Sequence, residues 1–232
     1  MGLNEDVSEM CEILQSELQR RWDGKECILE LKDADYQWKQ MEWVGWYFEW
    51  KAFNILSQKL GGTNGPKYGN MWFDYLRNQR VWDFKAHITN ASSHPWAILN
   101  DCEGVDNCIE DFKGLGFIIA RGEATYDDDG TFKDWHDRLK GKKSTYEKER
   151  IRRGAPSRKR KKSLNVEKFQ ILYITKDILK DGLERNWLKY FQRGMRNADG
   201  SLRRSKYMIN VDMVPANAVV GCQYNIFQES LY

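Results

Sequence analysis

Apolar side chains recur at helical spacing from the start of the chain. Val7, Met10, Cys11, Leu14, Leu18 and Trp22 stand mostly three or four apart, which predicts an amphipathic helix ending near Asp23-Gly24. The short apolar run at 27–31 reads as a strand. A second helix is expected over about 35–60. Trp43, Trp46, Tyr47, Trp50, Phe53, Ile55 and Leu56 make it apolar enough to be mostly buried, and Gly61-Gly62 stops it. Residues 64–70 are turn-rich, and then the period changes from helical to extended. Segments 71–76 and 80–88 flank Arg77-Asn78-Gln79 as two antiparallel strands flank a hairpin loop. Further strands are expected at 115–120, 169–175 and 207–211, with helices at about 134–152 and 178–193 and an exposed loop at 154–163. The fold class that results is α/β (α+β), a mixed central β-sheet flanked by helices.

Composition narrows the class of protein. With 232 residues, 41% hydrophobic and 13% aromatic, the chain can bury a core without disulfides or metal staples, and one domain over 1–232 is expected. No run approaches the roughly 20 apolar residues of a membrane span, and Met1 to Asp6 lack the order of a signal peptide, so no membrane partner and a cytoplasmic location are expected. Cys11, Cys27, Cys102, Cys108 and Cys222 contain no Cys-x-x-Cys pair, and the three His are scattered at 87, 94 and 136. Neither a disulfide framework nor a structural zinc site is indicated; the cysteines read as inert core residues.

Net charge is only +3, but eleven Lys or Arg and two acids lie between Lys142 and Lys162. A basic loop at about 142–163 is what a phosphate backbone attracts, because neutralised phosphates release condensed counterions. A solvated loop or a nuclear-import signal would look the same.

The candidate chemistry lies in the predicted hairpin. Eight residues separate Asp74 from Asp83, and Lys85 follows two positions later. Residues i and i+2 of a strand share a face, so Asp83 and Lys85 project together and the hairpin can bring Asp74 alongside. Two carboxylates can hold one or two Mg²⁺ ions that polarise a phosphodiester and activate water, while an adjacent ammonium offsets developing negative charge. The plain alternative is that these are surface charges of an edge hairpin. Val81, Trp82 and Phe84 point instead to a strand covered on at least one face.

Asp74, eight intervening residues and Asp83-Phe84-Lys85 resemble the motif of the PD-(D/E)XK nuclease superfamily, and Trp82 to Ala86 with Ile88-Thr89-Asn90 are similar to the catalytic strand of type II restriction endonucleases. The likeness covers the middle of the chain; Phe73, where the motif has proline, departs from it. The resemblance implies a restriction-endonuclease-like core, with Asp74 and Asp83 as metal ligands, the Phe84 carbonyl as a backbone ligand, Lys85 as the catalytic lysine and Glu49 as a helix-borne acid. Glu42, seven residues earlier, is the substitute for Glu49.

The function expected on this basis is sequence-specific, Mg²⁺-dependent hydrolysis of both strands of duplex DNA by a homodimer. Expected DNA contacts are Asn90 and Asn100 after the catalytic strand; Lys142, Lys143, Arg152, Arg153, Arg158, Lys159, Arg160, Lys161 and Lys162 in the basic block; and Arg203 and Arg204 in the segment 193–206. His87 could assist phosphate binding, although a lone His is more often packed. Asp127-Asp128-Asp129-Gly130 lacks EF-hand spacing and reads as a turn. The alternatives are a structure-specific repair, recombination or phage nuclease and, in a different class, a non-catalytic DNA-binding protein.

Overall fold

A computed structural model of the chain describes residues 2–143, 145–197, 200–219 and 224–225. The chain begins with α1 (Leu3–Glu17), β1 (Arg21–Asp23), α2 (Gly24–Asp33) and α3 (Trp43–Leu60). The extended region follows as β2 (Lys67–Tyr68), β3 (Met71–Trp72), β4 (Tyr75–Arg77), β5 (Arg80–Ile88) and β6 (Trp96–Asp101). Next come α4 (Cys102–Phe112), β7 (Leu115–Tyr126), α5 (Thr131–Lys140), α6 (Thr145–Arg152) and β8 (Lys161–Ile174). The last elements are α7 (Lys176–Glu184), β9 (Leu188–Phe191), β10 (Lys206–Asn210) and β11 (Tyr224–Asn225).

The main sheet runs β1-β8-β7-β5-β4, with β11 also on β8. Its β5–β7 pair is parallel and the others are antiparallel. A mixed central sheet flanked by helices is therefore present, as the alternation of periods predicts. A second, three-stranded sheet, β6-β10-β9, packs on one side. Alternation along β5 divides two cores. Trp82, Phe84 and Ile88 join α1, α2 and α3 in one, while Val81 joins α4, α7 and the three-stranded sheet in the other. By the same parity, Asp83, Lys85 and His87 lie on the second face.

In α3, Trp43, Val44, Tyr47, Phe48, Ala52 and Leu56 form the buried stripe. Phe48 stacks on Phe169 and meets Phe84 edge-on, with centroids 5.8 and 5.7 Å apart. Such ring pairs add about 0.5–1.5 kcal/mol each beyond the area they bury. Trp46, Glu49, Trp50 and Phe53 lie on the adjoining, half-buried stripe, so the packing that fixes α3 also aims Glu49 along the edge of β5.

Several elements differ from the sequence expectation. Residues 27–31 are helical, not extended: Asp23 caps α2 by accepting from the backbone N–H groups of Lys25 and Glu26 at 2.9 and 3.4 Å. Five apolar-rich residues are too few to separate the two periods. The helix expected from 35 starts only at Trp43, because Asp35 and Gln37 adopt φ of 49° and 42°. The helix expected over 134–152 is two helices, broken at Gly141, φ 72°. Asp127 caps the first by accepting from Phe132 and Lys133, which gives the acidic turn a structural role. The helix expected to 193 ends at Glu184, and the chain returns as β9 to pair with β10. Residues 161–163 belong to strand β8, not to the exposed loop expected over 154–163, and the strand expected from 169 begins eight residues earlier; Ser163, Leu164 and Val166 are buried there, but interleaved charges mask the period. Strands β1, β6 and β9 were outside the expectation, being short segments held by partners distant in sequence.

Cys11, Cys27 and Cys108 are buried and unbridged, as inert core thiols are; Cys102 is half-buried, and Cys222 lies outside the described residues. Among the described residues no helix is long and apolar enough to cross a membrane.

Candidate active site

The β4–β5 hairpin closes through Asn78 and Gln79, whose φ values of 50° and 60° make a two-residue turn where the sequence suggested three loop residues. Its tip is tied to α1. Asp6, fully buried, pairs with Arg77 and with Arg80 at 3.3 Å and accepts from Asn78 at 3.0 Å. Breaking a buried pair of this kind typically costs about 3–5 kcal/mol.

The strand expected over 71–76 breaks at Asp74, between β3 and β4. A neighbouring segment holds the break. Thr63 pairs with Leu76 through backbone bonds of 3.0 and 2.8 Å, and the Phe73 N–H donates to the Pro66 carbonyl. The approach requires glycine at 65, where a Cβ would lie 2.5 Å from the Phe73 carbonyl oxygen. Asp74 then turns its carboxylate to the edge of β5 and accepts the Phe84 N–H at 2.6 Å. Within a strand a residue's N–H and C=O point to the same side, so the Phe84 carbonyl faces this edge as well.

Asp83, Lys85 and Glu49 complete the cluster. Lys85 is ion-paired with Asp83, whose side chain is 2% exposed. Asn100, from β6, donates to Asp83 Oδ1 at 2.9 Å. Glu49 accepts a hydrogen bond from the Tyr36 hydroxyl, which reaches it from the turn before α3. Burial, then repulsion from Asp83 and Glu49, holds the Asp74 carboxyl well above its ordinary pKa. Burial also raises Glu49 against the opposing effects of Tyr36 and Lys85. For Lys85, burial opposes charge, but Asp83, Asp74 and Glu49 outweigh it and keep the ammonium protonated. Lys85 is thus a cation here, not a base.

Three carboxyl groups around one ammonium are more acids than the single cation can balance, and the raised pKa values of Asp74 and Glu49 follow from burial and from that crowding. Hard oxygen donors with this imbalance fit Mg²⁺ by chemistry. Among the described residues no three His, Cys, Asp or Glu side chains are grouped as a ready metal cage; Asp83 is engaged with Lys85, and Glu49 with Tyr36. Asp74, Asp83 and the Phe84 carbonyl are the groups that could hold an ion, with Glu49 beside them. Glu42 borders the same hollow but is paired with Lys161.

These groups line a cleft of about 660 Å³ that also includes Trp46, Trp72 and Asn100. Beyond Glu42 and Trp46, which both hollows share, lies another of about 680 Å³ bordered by Lys39, Lys140, Arg150, Arg153, Arg158 and Arg160. The basic block is therefore only partly a free surface. Lys142, Lys143, Arg152, Arg153, Arg158 and Lys159 are exposed; Arg152 is paired with Glu149, and Lys159 with Asp128. Arg160 is 6% exposed beside Asp137 at 3.6 Å, and Lys161 is bound to Glu42. Lys162 is half-buried on β8. These last three correct the expectation of a wholly exposed basic loop: the block runs into a strand of the main sheet.

Asn90 does not face open groove space. Its amide donates to the Ala124 carbonyl and accepts the Ala124 N–H, at 2.9 and 3.1 Å, so it pins the turn after β5. Asn100 is at the acids. Arg203 and Arg204 are exposed, Arg204 lying 3.4 Å from Asp101, whereas Ala198 and Asp199 of the same segment are outside the described residues. His87 is buried against His94 at 3.0 Å, and burial with nearby Arg121 and His94 pushes its pKa down to about 4, so it is neutral and unsuited to holding phosphate. Tyr36 and Lys39 were not singled out from the sequence, and Trp46 was read only as part of a buried helix, since nothing in their spacing announces the contact that brings them here.

No protein-family model, curated protein or solved structure matches this chain significantly.

Proposed function

We propose that the chain is a Mg²⁺-dependent endodeoxyribonuclease of the PD-(D/E)XK type, hydrolysing phosphodiester bonds in duplex DNA. The convergence of Asp74, Asp83, Glu49 and Lys85 at one strand edge, joined by the Phe84 N–H bond to Asp74, carries this reading. When bound, Mg²⁺ would supply Lewis-acid polarisation of the phosphodiester and activation of a water. Lys85 brings a fixed positive charge to a phosphate oxygen. Asn100 holds the Asp83 carboxylate in orientation, and Tyr36 does the same for Glu49. The basic hollow beyond Trp46 takes the phosphate backbone without reading sequence. Cutting both strands at a short palindromic site, as a type II restriction enzyme does, would take two copies related by a twofold axis.

Incubation of the purified protein with plasmid DNA in Mg²⁺ and in EDTA tests this. Discrete fragments that require Mg²⁺ are expected; uncut DNA across several plasmids in both conditions would overturn the proposal and leave a DNA-binding role for the basic hollow.

A further inference from the structure

Glu49 and Asp74 border not only the catalytic cleft but a second hollow of about 390 Å³, walled by Tyr36, Trp50, Phe53 and Trp72. This hollow adjoins the cleft, the two sharing Tyr36, Glu49, Trp72 and Asp74 as lining residues. Trp72 is 59% exposed on a two-residue strand, although it adjoins buried Phe73. The Lys67 ammonium stands 4.9 Å from the centre of its ring. Asn54 and Asn64 also line it, and the Asn54 amide donates one of its hydrogens to the Trp50 carbonyl at 2.8 Å, leaving its other hydrogen and its oxygen for a ligand.

Flat aromatic walls, amide groups and an adjacent ammonium make a chemically selective combination. The rings match the faces of a planar heterocycle, the amides can bond its edges, and the ammonium can meet its phosphate. We propose that this hollow receives a single nucleobase swung out of the stack, from the strand whose phosphodiester faces Asp74, Asp83 and Lys85. The inference rests on the nuclease reading above and adds a preference for duplexes in which one base leaves the helix easily. An unpaired base costs less to extrude than a paired one. The hollow therefore favours DNA with an unopposed base over continuous duplex.

The test is fluorescence anisotropy in Ca²⁺ with three labelled duplexes of one sequence: fully paired, carrying one base opposite an abasic site, and abasic on both strands at that position. Wild-type protein should bind the duplex with the unopposed base most tightly. Trp72→Ala should weaken that complex by roughly 5- to 150-fold, the range of one base stack removed, and leave the doubly abasic duplex within about twofold. Trp72→Phe should restore most of the loss. Because Trp72 is largely exposed, circular dichroism should show the variants folded. Equal weakening on all three duplexes, or none on any, overturns the base pocket and leaves the nuclease reading standing. Failure of the wild-type protein to bind any of the three overturns both.

Discussion

The Asn100 side chain donates to Asp83 Oδ1 at 2.9 Å, so the three-stranded sheet that carries Asn100 orients an acid carried by the main sheet. Asn100→Ala removes this support without touching the carboxylate itself. Losing such an outer partner typically costs 10- to 100-fold in metal affinity or activity. The Mg²⁺ concentration for half-maximal cleavage should rise by that order, while DNA affinity measured in Ca²⁺ changes little. A uniform loss of DNA binding with an unchanged Mg²⁺ requirement would place Asn100 on the DNA instead.

Asp83→Ala and Lys85→Ala should each abolish detectable cleavage yet retain DNA binding by gel shift, since the backbone contacts lie elsewhere. Cleavage by Asp83→Ala at more than a few per cent of wild type would remove the assigned site.

Asp74 sets up a conflict between function and stability. Its pKa is raised by burial and by Asp83 and Glu49, so the metal-free folded chain binds this proton more tightly than the unfolded chain. The associated stability is present below the unfolded pKa, near the ordinary aspartate value of 3.8, and is lost as pH rises through the folded value. Asp74→Asn removes the repulsion while its amide oxygen can still accept the Phe84 N–H. In EDTA at pH 8 its Tm should exceed that of wild type, by about 2–4 °C for each kcal/mol relieved. The gap should close in acid, and Mg²⁺ should raise the Tm of wild type only. A variant less stable than wild type at pH 8 contradicts the conflict.

Under the proposed function, the same raised carboxylates should set the acid limb of the cleavage pH profile. Protons compete with metal at Asp74 and Glu49, so cleavage should fall off at a higher pH than ordinary carboxylates would give. Added Mg²⁺ should shift that limb downward. A limb unmoved by Mg²⁺ would assign it to groups outside the cluster.

Within the basic block, exposure separates two kinds of variant. Arg153→Ala with Arg158→Ala should weaken DNA binding and reduce the magnitude of the log K against log salt slope by about 0.9 for each phosphate no longer neutralised. Arg160→Ala should instead lower Tm, by an effect on the order of 1–3 kcal/mol, because Arg160 is buried beside Asp137. A Tm loss from the exposed pair, or an unchanged Tm for Arg160→Ala, would reverse the assignment.

Where the sequence pattern was long and regular, it was enough. The alternation of 80–88 follows from side-chain period, and the return strand at 115–120 from a short apolar run buried on both faces; of the residues read as the buried face of α3, Trp43, Tyr47 and Leu56 are buried, while Trp46, Trp50, Phe53 and Ile55 lie half-buried beside them. That Asp83 and Lys85 share a face belongs to the same logic. Short or charge-interleaved segments escaped it: residues 27–31 carry too few positions to fix a period, and 161–168 hide a strand beneath Lys161, Lys162, Glu167 and Lys168.

The amino-acid sequence by itself determined the mixed sheet with its flanking helices and the local placement of Asp83 beside Lys85, since both depend on neighbours along one chain segment. Only the tertiary structure decided that Glu49, not Glu42, stands with the acids, that Tyr36 and Asn100 orient them, and that Arg160 and Lys161 are engaged in internal pairs. Those contacts join residues from 13 to 119 positions apart. Their formation depends on how separately folded elements pack, and hydrophobic periodicity carries no record of the partner a polar side chain will meet.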